Sequence, residues 1–255
     1  MRRLLQRFGR LAVRVLRGAG SFGLVALRLL IALPRLDLRE TLRATVVHGN
    51  RSLPIALAVA VFAGAILVVQ TTFYVKKIGA REILGWAAGF AILREFGPLL
   101  TAMVLSGRVG ARNAAEVAAL AVGEQLDALE AMGVDLWRTI LAPRAVACAA
   151  ALLLLTTIAD LVAVGSATLF AWGSLQIRPD TFLRSIELSL GGADLAAGLL
   201  KAAAYGLAIA LVSTREGLRA RGGGATSVGR AATRSVVKSS FAILLLDVVL
   251  TQVGP

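Results

Sequence analysis

Five stretches of this chain, at about 53–74, 83–105, 140–172, 195–214 and 231–253, are apolar and long enough to cross a hydrocarbon core of about 30 Å as helices. A lipid-embedded backbone has no water to bond to, so each run must close its hydrogen bonds within itself. The expected fold is an all-α integral membrane protein with about five transmembrane helices. Composition agrees: 57% of residues are hydrophobic and the mean hydropathy is +0.78, too apolar for an ordinary soluble domain. The run at 140–172 exceeds what one span needs, so it is tilted or extends beyond the bilayer.

The chain divides into an N-terminal interfacial helical region, 1–51, and a transmembrane domain, 52–255. Arginines interrupt every apolar core before residue 33, which argues against a signal peptide. Arg3, Arg7, Arg10, Arg14 and Arg17 recur at helical spacing, with Leu4, Phe8, Leu11 and Val15 around the rest of the circumference. That pattern fits an amphipathic helix lying in the membrane interface, or else a soluble helix that binds a partner. Pro34 ends the segment, and Asp37 caps a second short helix through about His48. Between the third and fourth spans, a turn leads to a short helix capped near Asp180 or Thr181.

The formal net charge is +13, yet only 5% of residues are aromatic and no aromatic-basic interleaving marks a nucleic-acid surface. The basic residues separate apolar runs, as anionic headgroups and membrane orientation require. Segments 1–51, 106–144 and 215–238 hold 21 of the 28 Lys and Arg residues. The connecting segments on the other side hold five, and two lie within spans. The N-terminus is therefore expected in the cytoplasm and the C-terminus on the opposite, periplasmic side. Cys148, the single cysteine, excludes an intrachain disulfide, and the single histidine, His48, disfavours a histidine metal site or triad; no metal site and no catalytic residue is expected.

Arg94, Glu95, Asp160, Lys201 and Asp247 fall within apolar runs, where an ionised group costs roughly 3 kcal/mol on insertion scales. Each needs a partner or water. Lys201 is the natural counter-ion of Glu95, and Asp247 a candidate for Arg94. These are either structural pairs that fix helix register or the polar patch of an interhelical cavity. Gln70 would add a neutral hydrogen bond to such a cavity, or lie exposed at the interface. Gly97-Pro98 frees backbone groups and bends the second span. Gly64, Gly107 and Gly110 suit close helix packing.

Directly after the second span, a polar helix over about 113–133 places Glu116, Glu124, Asp127 and Glu130 on one arc and Val122, Leu126, Leu129 and Met132 on the other. It is two-faced and too polar to cross a bilayer. It either lies on the protein's own surface or docks a cytoplasmic partner. The GGGATSVG stretch at 222–229 lacks the lysine of a phosphate loop, so the chain carries no nucleotide site of its own.

The stretch LREFGPLLTAMVLSGRVGARNAAEVAALAVGEQLDALEAMGVD, Leu93 to Asp135, resembles the signature of the MlaE/YrbE permeases, membrane subunits of ABC lipid transporters that work with MCE proteins. Gln70, Lys201 and ATRSVVKSSFAILLLDVVLT extend the resemblance over nearly the whole chain. Gly123 stands where the family often has Thr, and Leu136 where Pro often follows Val-Asp. The resemblance implies a homodimer in a bacterial inner membrane, with a lipid cavity drawing on Gln70, Arg94, Glu95, Lys201 and Asp247. It implies a cytoplasmic ATPase that uses ATP and Mg and docks on the coupling helix through Glu116 to Met132. A periplasmic MCE-domain protein, a small cytoplasmic accessory protein and phospholipid as substrate complete the implied assembly. The alternative is an ion-coupled secondary transporter with Glu95, Asp160 and Asp247 as a proton relay, though no inverted repeat is visible. An intramembrane hydrolase is disfavoured, for no nucleophile elbow is present.

Overall fold

The structure, a computed structural model, describes residues 38–78 and 83–253, together with 20, 23–29 and 31–32. The arginine stripe at 3–17, Pro34 and Asp37 lie outside the described residues. Helix α1 spans Leu38–Ile78 and α2 spans Ile83–Phe90; a π-helical segment, Ala91–Phe96, leads into α3, Gly97–Leu105. A second π segment, Ser106–Gly110, precedes α4, Ala111–Val122, and α5 is Gln125–Ala131. A third π turn, Trp137–Leu141, opens α6, Ala142–Leu175; then follow α7, Pro179–Ser189, α8, Gly192–Leu218, and α9, Thr226–Val253. The described residues hold five helices long and apolar enough to cross a membrane: Leu38–Thr72, Leu84–Val122, Trp137–Leu175, Gly192–Leu218 and Thr226–Gln252. The chain is an all-α membrane protein.

Small residues bring the spans together. A methyl at Gly64 would overlap the Ala163 carbonyl, so α1 and α6 approach to backbone contact, and the Ser166 hydroxyl donates to the Val61 carbonyl at 2.7 Å. Ala159, Ala163, Ala167 and Ala171, each one turn from the next, present a flat face to this contact. A second cluster, including Leu105, Cys148, Leu152, Tyr205 and Ile209, joins spans two to four, and the N-terminal piece adds Val25 and Leu29 to it. Arg28 lies over the Trp137 ring at 5.3 Å. Gly107, in contrast with Gly64, meets no neighbour, so its packing role is not observed; Gly110 does pack, with Ile209 about 3.0 Å from where its Cβ would be.

Two expectations about helix boundaries change. The separate helix ending near His48 is the first part of α1, which runs unbroken through Pro54, so the division at 51/52 falls inside one helix. Proline alone would interrupt it, but Thr41, Thr45, Ser52 and Ala56 are buried on both sides of Pro54 and packing holds the axis. The polar helix expected over 113–133 is two helices. Gly123 ends α4, and Glu124 adopts a left-handed conformation with φ 55° before α5 begins.

Candidate functional site

The site begins at a proline. Pro98 has no N–H to offer the Arg94 carbonyl one turn back, and its ring would collide with that carbonyl in a regular α-helix. The backbone widens instead: Gly97 N–H donates to Ile92 O, five residues back, which closes the π segment Ala91–Phe96. Arg94 and Glu95 therefore leave the second span from a widened turn. The Leu93 carbonyl of that turn abuts Gly198 of α8, where a methyl would overlap it. Lys201, one turn further along α8, is thereby set beside Glu95.

Lys201 is 4% exposed and uses its three ammonium protons inside the protein. Nζ donates to Glu95 Oε2 at 2.6 Å, to Thr251 Oγ1 at 2.7 Å and to Asp247 Oδ1 at 3.4 Å. Tyr205 OH donates to the same Asp247 oxygen at 2.6 Å, and Thr251 Oγ1 lies 3.3 Å from Glu95 Oε2. One cation thus faces two carboxylates, whose side chains keep 26% and 20% exposure. A cluster of this kind is anchored by its buried lysine yet keeps both carboxylates open to an incoming polar group.

The pairing of Lys201 with Glu95 is as the sequence suggests, whereas Asp247 does not take Arg94. Arg94 Nη1 donates to Asp194 Oδ1 at 3.1 Å, and its guanidinium lies 5.3 Å from the centre of the Phe90 ring. Asp194 sits in the first turn of α8 because that helix starts earlier than its apolar run, and its other oxygen accepts the Gly191 N–H at 3.1 Å. Gln70 is exposed on α1, and no hydrogen bond joins it to the cluster among the described residues. Asp160 is buried against Gly97, with Oδ1 lacking a hydrogen-bond partner. No hydrogen bond joins it to Glu95 or Asp247 among the described residues. Tyr205, Thr251 and Asp194 were missed by sequence reasoning, although Tyr205 lies one turn from Lys201 and Thr251 one turn from Asp247.

The acidic segment keeps its polar arc and loses most of its apolar one. Leu126 is fully buried with Ala121 and Leu136, Leu129 packs on them, and Val122 packs on Ala118, Ala220 and Ala231. These three side chains serve the chain's own core rather than a partner. Met132 stays 69% exposed. Glu116 is tied to Arg112 at 2.6 Å and to Arg144 at 3.1 Å, which binds α4 to α6. Arg221 holds Glu130 at 3.2 Å and Asp127 at 3.6 Å, while Glu124 is exposed with no ion pair among the described residues.

The family model described as Permease MlaE matches residues 41–253, from the first turn of α1 to the end of α9. The chain belongs to the MlaE permease family. Its matched relatives include a probable ABC transporter permease protein of Rickettsia felis, 31% identical over 96% of this chain and 95% of the relative. A probable ABC transporter permease protein of Synechocystis sp. is 34% identical over 83% of this chain and 80% of its own length. The chloroplastic protein trigalactosyldiacylglycerol 1 of Arabidopsis thaliana is 30% identical over 90% of this chain and 65% of that protein. This MlaE-family chain is thus a multi-pass permease component of an ABC transporter, a class that works with an ATPase partner.

Proposed function

We propose that this permease moves lipid, most directly phospholipid, between the inner membrane and a periplasmic MCE carrier. The observation that carries the reading is the buried Lys201 between Glu95, Thr251 and Asp247, within spans whose surroundings are otherwise apolar. A zwitterionic or anionic headgroup finds both charge signs there, and the exposed Leu244, Val248 and Val249 beside Asp247 suit its chains. The name of the Arabidopsis relative, which denotes a galactolipid, supports a lipid substrate class. Two copies form the transporter. Span α9, only 17% buried in its apolar window against 50% for the third span, leaves a broad face for the second copy or for lipid.

A cytoplasmic ATPase, which binds ATP and Mg, docks on the acidic segment, through Glu124, Asp127, Glu130 and Met132 rather than through the buried leucines. The N-terminus then lies in the cytoplasm, and α7 faces the carrier across the membrane. A small accessory protein binds on the ATPase side. The test is lipid transfer by the purified permease with its cognate ATPase and carrier in proteoliposomes. Glu95→Ala together with Lys201→Ala is expected to reduce ATP-dependent transfer at least tenfold while the complex still assembles. Transfer at the wild-type rate by an assembled double variant would overturn the reading.

A further inference from the structure

At the opposite end of α8 from Lys201 lies a second polar cluster that the transport reading does not use. Glu216 is 2% exposed, and its Oε1 accepts from Arg215 at 3.1 Å, Arg219 at 3.2 Å and Lys238 at 2.7 Å. Beside it, Glu216, Arg219, Gly223, Ser227, Arg230 and Arg234 line a cavity of about 230 Å³. Arg230 and Arg234, one turn apart on α9, are exposed and have no ion pair among the described residues. A single carboxylate, already shared by three cations, leaves this cavity strongly positive. It fits a phosphate ester. Gly223 lets the loop close onto Ser227, for a Cβ there would lie 2.8 Å from the serine side chain.

Lys238 continues the cluster into lipid. Together with Ala208, Leu211, Val212, Phe241 and Leu245 it lines an apolar groove between α8 and α9, of about 510 Å³. The Lys238 to Glu216 contact is where the basic cavity and the groove meet. From Arg230 to Leu245 is fifteen residues, about 22 Å along a helix, close to half of a bilayer of about 40–45 Å including headgroups. The polar end, the apolar end and the distance between them are those of one phospholipid.

We propose that this cavity and groove form a binding site for an anionic phospholipid of the leaflet on the side of residues 219–234, with its phosphate among Arg219, Arg230 and Arg234 and an acyl chain along Phe241 and Leu245. Basic pockets between spans bind anionic headgroups. The site is separate from the Lys201 cluster: Arg230 and Asp247 are seventeen residues apart on α9, about 25 Å. An acidic protein segment would neutralise the arginines but has no use for a groove at the depth of Leu245. The inference rests on membership of a membrane-permease family and not on the direction or cargo of transport.

The test is lipid binding to the full chain in neutral detergent, read by native mass spectrometry with phosphatidylglycerol and phosphatidylcholine of identical chains. Wild type is expected to prefer phosphatidylglycerol, and Arg230→Gln with Arg234→Gln to lose about tenfold or more of that preference, two charges' worth. Arg230→Lys with Arg234→Lys retains most of it, which separates charge from folding. Filling the groove by Ala242→Trp weakens both lipids and leaves the headgroup preference. An unchanged preference in the double glutamine variant overturns the proposal. So does binding of inorganic phosphate or glycerophosphoglycerol as tight as the lipid and insensitive to Ala242→Trp, which would mark a site for a soluble phosphate. Disulfide cross-linking of two copies through Ala242→Cys, unaffected by phosphatidylglycerol, would show a second copy in the groove and overturn it too.

Discussion

Replacing Lys201 by methionine keeps the length of the side chain and removes the one cation that Glu95 and Asp247 share. At an effective dielectric of about 20, unit charges about 3 Å apart attract by about 5–6 kcal/mol. The carboxylates retain 26% and 20% exposure, so solvent supplies part of that stabilisation once the ammonium is gone. Breaking a buried pair from one side costs about 3–5 kcal/mol, and the residual exposure puts Lys201→Met near the low end, about 3 kcal/mol. Glu95→Gln should cost about 1–2 kcal/mol, since Lys201 keeps Asp247 and Thr251 and the amide still accepts a hydrogen bond. In the double variant the neutral amide at position 95 needs no cation, and a coupling energy of about 1.5–2 kcal/mol is expected. Reversible unfolding in mixed micelles, followed by circular dichroism, measures the cycle. Additivity of the single variants within about 0.5 kcal/mol would refute the shared-cation account.

Gly97→Ala is expected to destabilise by about 2 kcal/mol, because the new methyl meets the Asp160 carboxylate and the Ile92 carbonyl. Adding Asp160→Ala should restore part of that loss in the same unfolding assay, and no recovery would mean that the carboxylate is not what Gly97 accommodates. Glu124→Lys with Asp127→Lys should cut association with the cognate ATPase at least tenfold in a pull-down, with thermal unfolding of the free permease moved by less than about 1 kcal/mol because both side chains are exposed.

Spans and the Lys201 pairing could be read from the sequence because lipid leaves an ionised group few choices: a buried ammonium at 201 needs a carboxylate from another span, and Glu95 was one of very few. The partner of Arg94 was hidden by a boundary. Apolar content places the start of the fourth span at 195, one residue after Asp194, while the helix itself starts at Gly192. Continuity through Pro54 was hidden as well, since local sequence reports the missing N–H and not the packing that carries the helix through it. In the acidic segment, periodicity showed that Val122, Leu126 and Leu129 share a face. It could not say whether that face meets a partner or the chain's own residues Ala121, Leu136, Ala220 and Ala231.

That last distinction bears on how docking could reach the cluster. Glu95 and Glu116 belong to one stretch of helix, Leu84–Val122, and are twenty-one residues apart, about 31 Å. With its leucines buried, the acidic segment is fixed to the Val122 end of this stretch, so a displacement applied at Asp127 or Glu130 acts on the helix rather than on a loose appendage. The other end meets α8 through close backbone approach and through charge. There the Leu93 carbonyl abuts Gly198 of α8, and the Arg94–Asp194 and Glu95–Lys201 pairs cross the same contact. Glu95 has two donors to choose from, Lys201 at 2.6 Å and Thr251 at 3.3 Å, both on other helices. A rotation of the second span that draws Glu95 from one toward the other would change the charge offered to a headgroup without leaving a bare ion in the membrane. On the transport reading, such a rotation would trade the Lys201 ion pair for the weaker hydrogen bond to Thr251, while Lys201 keeps Asp247.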